Sequence, residues 1–190
     1  MIKLYLAKIN DFTQADYANM YSLLDCALKE KIDSKKNEKA KKLSLLGYIL
    51  LYRGFSEIYN KTDVKLYFNS KGKPFCDFCY FSISHSNDMA ICVFDDRLIG
   101  ADIQYFHTVK QREKYKFFNQ KENFYVNCEK SDVSQKYIEI FAKKEAAIKM
   151  HGWSIAQAAD IDTFSDKYSF TIKKTDDYVI ALCSENRKIM

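Results

Sequence analysis

The chain reads as an α+β protein of two similar-sized halves, and three observations carry that reading. Its elements run strand, helix, sheet, then helix and sheet again. Its 190 residues, 47% of them hydrophobic, suffice for one sizeable core or two small subdomains sharing one. With only five Gly and one Pro, no Gly/Pro-rich linker cuts it into independent domains. Aromatic and β-branched residues are spread through the whole length, which excludes disorder.

Taken in order, Met1 to Asn10 carries a first short strand, MIKLYLAKI, without the apolar run and cleavage site of a secretory signal. Residues 12–31 hold one or two short helices. A longer helix spans Ser34 to Tyr59, with Ser34 as N-cap, lysines in its first turns, and Leu43 to Leu51 burying its second half. After the loop Asn69–Pro74, Phe78 to Ser84 is a strand, Ser86-Asn87-Asp88 a turn, and Ala90 to Phe94 the returning strand. Asp95-Asp96 then turns into a third strand, Leu98 to Tyr105. Such short turns make the three strands antiparallel neighbours. Residues 110–129 read as mostly helical, and Ser134 to His151 is a helix closed by Gly152. A last hairpin pairs Tyr168–Lys173 with Tyr178–Cys183.

The net charge of +5, with a pI near 8.7, is uneven: Lys29, Lys31, Lys35, Lys36, Lys39, Lys41 and Lys42 crowd one stretch. Such a cluster attracts phosphates, nucleic acid or acidic protein surfaces, or is simply a solvated helix face. No stretch approaches the roughly 18 consecutive apolar residues of a membrane span. Six cysteines without an export signal are expected as reduced thiols, which points to the cytoplasm.

The residues that can carry chemistry lie in the middle and the second half. In the third strand, a period of two puts Ile99, Ala101 and Ile103 on one face and Gly100, Asp102 and Gln104 on the other. The apolar face belongs in the core. Gly100 leaves room beside Asp102 for something to approach closely, and an acid and an amide oxygen two residues apart can aim at one hard cation. On the Ser134–His151 helix, Phe141, Glu145 and Lys149 share one ridge. His85, set among hydroxyls in Ser82-Ile83-Ser84-His85-Ser86, suits phosphate binding. Each feature also has an ordinary structural reading: a solvent-facing strand side, a surface Glu–Lys pair, a satisfied polar residue.

Together, in this order, these segments resemble the surfactin-type 4′-phosphopantetheinyl transferases. The family's Lys-Pro step and Ile-Ser-His-Ser strand are matched by Gly72-Lys73-Pro74 and Ser82–Ser86, and its Gly-x-Asp-x-Glu strand by Gly100–Gln104. Its Trp-Ser-x-Lys-Glu-x-x-x-Lys helix is matched by Phe141–Lys149, and its Phe-Phe-…-Glu segment by Phe117–Glu122. The matches run from residue 71 to 149.

The resemblance implies a pseudo-dimeric fold of two similar α+β halves, residues 1–96 with coenzyme A phosphate contacts and 97–190 with the metal-binding residues, and an active site in the cleft between them. It implies Mg²⁺, with Mn²⁺ as a second possibility, at Asp102, Gln104 and Glu145. It implies coenzyme A as substrate, bound by Lys73, Ser84, His85 and Lys149, with Lys41 or Lys42 as the basic residue of the first half. Glu122 is the candidate general base, with Glu145 or a Mg²⁺-bound water as alternatives, and Glu145 and Lys149 complete the expected catalytic set. The reaction implied is transfer of 4′-phosphopantetheine to a serine of an acidic acyl or peptidyl carrier protein by a monomer, with no nucleic acid and no membrane involved. Gln104 stands where the family has an acid, and Phe141-Ala142 where it has Trp-Ser.

Three rivals are weighed beside this reading. Cys76-x-x-Cys79 with His85 and Cys92 suggests zinc, but structural zinc normally uses paired motifs and no second Cys-x-x-Cys exists. A basic, aromatic-rich chain suggests nucleic acid binding, but its aromatics fall at core positions and no Gly-aromatic RNA-binding signature appears. A degenerate relative would bind coenzyme A or carrier protein without turnover.

Overall fold

The computed structural model describes residues 1–109, 117–128 and 132–186. β1 (Lys3–Lys8) leads into α1 (Gln14–Leu23) and α2 (Cys26–Asp33). Both helices open on a side-chain oxygen, Thr13 accepting from the Asp16 N–H and Asp25 from the Leu28 N–H. α3 (Glu38–Tyr59) opens on Asn37, which accepts from the Ala40 N–H. The expected cap, Ser34, instead closes α2: its backbone is helical (φ −67°, ψ −9°), whereas Asn37 has the extended backbone a cap requires.

A small hairpin, β2 (Tyr67–Phe68) and β3 (Pro74–Phe75), brackets the expected loop. β4 (Tyr80–Ser86) and β5 (Met89–Asp95) then pair antiparallel, Ser84 opposite Ile91 and Ser86 opposite Met89. Their turn places Asn87 at φ 54°, a left-handed conformation that Asn tolerates. β1 pairs with the other edge of β5, giving the order β1-β5-β4.

The next strand, β6 (Gly100–Tyr105), does not extend this sheet as the short turn predicts. It pairs with β8 (Tyr178–Glu185), which pairs with β7 (Tyr168–Lys174), in a second sheet of order β6-β8-β7. The reason lies in the serines. Alternate β4 hydroxyls, Ser82, Ser84 and Ser86, accept the backbone N–H groups of Ala101, Ile103 and Tyr105. The unpaired edge of β6 is thereby satisfied by side chains instead of a backbone ladder. Between β6 and β7 come α4 (Gln120–Asn127) and α5 (Val133–His151), the latter closed by Gly152 at φ 69°. Of the expected helical stretch 110–129, residues 110–116 and 129 lie outside the described residues.

The strands distribute their side chains to three cores. Ala90, Cys92 and Phe94 of β5 join Leu46, Leu50 and Phe55 of α3. Ile91 and Val93 face the other way and meet Ala101 and Ile103 of β6 with Ile180 and Leu182 of β8. Val179 and Ala181 of β8 join Ala142, Ala146 and Met150 of α5. The layers are therefore helix, sheet, sheet, helix. Among the described residues no helix is long and apolar enough to cross a membrane.

The β6 face on which Gly100 leaves room for a close approach carries α5. A Cβ at Gly100 would lie 1.9 Å from the Ala146 carbonyl oxygen and 2.4 Å from the Met150 nitrogen. Those are backbone atoms and cannot rotate away. Gly100→Ala is expected to destabilise the fold by about 1–3 kcal/mol, the cost of overpacking. Urea unfolding would read this, and an unchanged midpoint would mean that α5 does not seat here.

Candidate functional site

Laying α5 across β6 brings the third strand's acid against the helix ridge. Asp102 is 2% exposed and belongs to a polar knot built from three elements. Its Oδ1 accepts from Ser84 Oγ at 2.7 Å and from Lys149 Nζ at 2.5 Å. Lys149 also donates to Ser84 Oγ at 2.7 Å. Gln104 donates through Nε2 to Asp102 Oδ2 at 2.7 Å. A carboxylate offers about four lone-pair sites, so Oδ2 keeps one. The same hydrogen bond fixes the Gln104 amide: its nitrogen faces the carboxylate, and among the described residues its carbonyl oxygen has no donor.

Glu145, one turn before Lys149, is half-buried, and among the described residues no donor bonds its carboxylate. Burial raises its pKa, the nearby Asp102 charge raises it further, and Lys149 opposes both. Two carboxylates thus share one face, one of them unpartnered.

Glu145 and Lys149 line an open cavity of about 320 Å³ whose opposite wall is the β2–β3 hairpin with Gly72, Lys73 and Pro74. Asn69 holds that hairpin: its carbonyl oxygen accepts from the Lys71 and Lys73 N–H groups, and its amide donates to the Gly152 carbonyl. Lys73 reaches over to donate to the Met150 carbonyl at 3.0 Å, and burial lowers its pKa to about 8. His85 lies on the other face of β4 from Ser84. Its side chain is exposed at the end of the strand.

Two expected site residues stand elsewhere. Lys42 lines a separate groove with Tyr17, its ammonium 5.5 Å from that ring. Glu122 is 0% exposed and fully engaged. Its Oε2 accepts from the Asn119 N–H at 2.9 Å and the Lys144 ammonium at 2.8 Å, and its Oε1 accepts from the Thr163 N–H and hydroxyl. With all four sites filled, this carboxylate caps α4 and neutralises a buried lysine, and has no lone pair to offer a substrate.

Several contributors were not anticipated from the sequence. The rungs at Ser82 and Ser86 had a signal, serine at every second position of a strand. Trp153, stacked on His151 at 4.0 Å and lining the same cavity, had none beyond its place after the helix-closing glycine. The zinc reading gains no cluster: among the described residues no group of three or more His, Cys, Asp or Glu is placed to hold a metal.

No protein-family profile matches the chain. It is 31% identical over 114 residues to the 4′-phosphopantetheinyl transferase gsp of Aneurinibacillus migulanus, covering 57% of this chain and 48% of that protein. It is 27% identical over 148 residues to the 4′-phosphopantetheinyl transferase Sfp of Bacillus subtilis, covering 70% of this chain and 65% of that one. The chain spans about half the length of the first and just under two thirds of the second. In sequence, over more than half its length, it is thus similar to two proteins that both carry the name 4′-phosphopantetheinyl transferase.

Proposed function

We propose that the chain transfers the 4′-phosphopantetheine group of coenzyme A to a serine of an acidic apo carrier protein, releasing adenosine 3′,5′-bisphosphate. The observation that carries the reading is a cleft lined by Lys73, Glu145 and Lys149, with Lys149 bonded to the buried Ser84 and Asp102, so that four separate stretches of chain meet there. The likeness to two named transferases supplies the chemistry. The repeated plan, α3 on the first three-stranded sheet and α5 on the second, supports two related halves divided near residues 96–97.

The donor types suit a hard divalent cation such as Mg²⁺: the Glu145 carboxylate and the Gln104 carbonyl oxygen, neither with a donor among the described residues, and the open lone pair of Asp102 Oδ2. Bound there, the ion would neutralise charge on the diphosphate. The chain's own groups do the rest. Lys149 and Lys73 place two cations along the phosphates, Lys149 held by Asp102 and Ser84 and Lys73 by the Met150 carbonyl. His85, on the other face of β4, offers an imidazole for a further hydrogen bond. The serine proton goes to Glu145, the carboxylate that lines the cleft and has no donor of its own among the described residues. Glu122, sealed in its ion pair, takes no part.

The direct test is incubation with apo carrier protein, coenzyme A and Mg²⁺, reading carrier mass. A gain of one phosphopantetheine group is expected. Thermal stabilisation by coenzyme A without a mass gain on acyl or peptidyl carriers would leave only a binding protein.

Lys73 makes a pH prediction. Its pKa in the folded protein, about 8, lies below the ordinary 10.5, so its charge is lost as pH rises through about 8. KM for coenzyme A is expected to rise there, while Lys73→Arg, charged throughout, keeps it flat. The same depression means that the unfolded chain binds the extra proton between about 8 and 10.5, so stability climbs over that window. An identical alkaline rise in KM for Lys73→Arg would remove Lys73 from phosphate binding.

A further inference from the structure

The motif left over by this function is Cys76-Asp77-Phe78-Cys79, the link between β3 and β4. Its two sulfurs lie 3.5 Å apart, about 1.5 Å more than a disulfide bond. Among the described residues they are the one pair of thiols in contact: Cys92 and Cys183 are buried in strands, and Cys26 and Cys128 stand exposed elsewhere. The link is anchored where it bends. Phe78 packs on Phe55 at 5.4 Å and Tyr59 at 5.3 Å, with the Lys61 ammonium 5.1 Å from its ring. Both thiols are half-buried in a surface link whose Phe75, Asp77 and Phe78 are exposed.

We propose that Cys76 and Cys79 are a reversible oxidation site, closed to an intrachain disulfide by a low-molecular-weight disulfide such as oxidised glutathione. The Cys76 thiolate attacks one sulfur of the oxidant, forming a mixed disulfide and expelling one small thiolate. Cys79 gives its proton to that thiolate and attacks Cys76 Sγ, expelling the second. Two protein thiols are oxidised, and one small disulfide is reduced to two thiols.

The order of attack follows from the surroundings. The two thiols touch at 3.5 Å, and that contact, together with the Phe78 and Cys79 N–H groups, favours the Cys76 thiolate. Against burial and the Asp77 charge, they bring the Cys76 thiol down to about 6. The same contact, with burial and the neighbouring Cys92, pushes Cys79 up, against Tyr59. One sulfur is the nucleophile and the other keeps its proton until the mixed disulfide forms. This inference does not depend on the transfer reaction.

The test is to incubate the full chain with oxidised glutathione, quench with acid, alkylate, and map peptide masses. Wild type should lose two hydrogens across Cys76 and Cys79, take up no alkyl group there, and revert with dithiothreitol. Cys79→Ser should trap glutathione on Cys76. Cys76→Ser should leave Cys79 reacting at least about 10-fold more slowly than Cys76 does in Cys79→Ser. Full alkylation of both cysteines in wild type after oxidant overturns the proposal. So does equal glutathione capture by the two single variants, which would make them independent thiols.

Discussion

Asp102→Ala and Glu145→Ala should each abolish carrier modification, by about 10³-fold or more, while Gln104→Ala costs about 10- to 100-fold at most. The asymmetry follows from what each side chain offers. Asp102 and Glu145 bring the charge that a cation and the diphosphate respond to, and Asp102 also holds Lys149 in place at 2.5 Å. Gln104 brings a neutral oxygen and a hydrogen bond to Asp102 at 2.7 Å. Because Asp102 is almost fully buried, Asp102→Asn is the better-controlled variant: it preserves volume and removes the charge. Circular dichroism should show all four variants folded. Coenzyme A turnover should then separate the two acids from the amide, with the Mg²⁺ concentration at half-maximal rate rising in Asp102→Asn and Gln104→Ala. Equal losses at all three positions would dismantle this division of roles.

How far the sequence carried this site depended on where each signal sat. The period of two in Ile99–Gln104 placed Asp102 and Gln104 on one face correctly, because both faces of β6 obey strand geometry whatever covers them. What covered them was not legible. Gly100 announced a close approach, yet only the fold shows that the approaching group is the backbone of α5. The 145/149 spacing gave the ridge, since helix periodicity is local. The sheet assignment of β6 failed for the opposite reason. A short turn predicts pairing only if the backbone edges meet, and here three serine hydroxyls took the edge donors that β5 was expected to satisfy. Ser34 and Asn37 are both competent caps by residue type, so the start of α3 was decided by where α2 ended. Glu122 shows the deepest limit. A glutamate after two phenylalanines carries no mark of its partner, and that partner, Lys144, is 22 positions away in the chain, on the face of α5 turned from the cleft.

That pair yields the second large effect. Lys144 and Glu122 are both 0% exposed, and the lysine's three protons are all used: one on Glu122, one on the Ala158 carbonyl at 2.9 Å, one on the Ile161 carbonyl. The pair thereby ties α5 to the cap of α4 and to the segment 158–163. Lys144→Met would remove the cation and leave a buried carboxylate with two backbone N–H groups and a hydroxyl. The expected cost is about 3–5 kcal/mol, since breaking one side of a buried ion pair strands the other charge. Glu122→Gln with Lys144→Met should recover much of that loss, because the stranded charge is gone and the amide oxygen can still accept from Thr163. Urea unfolding of the two single variants and the double gives the coupling directly. A Lys144→Met variant as stable as wild type would show that the pair is not closed off from water. Glu122→Gln separates structure from chemistry at the same position: at a temperature where it stays folded, carrier modification should run near the wild-type rate, since a carboxylate with every lone pair occupied was never free to take the serine proton.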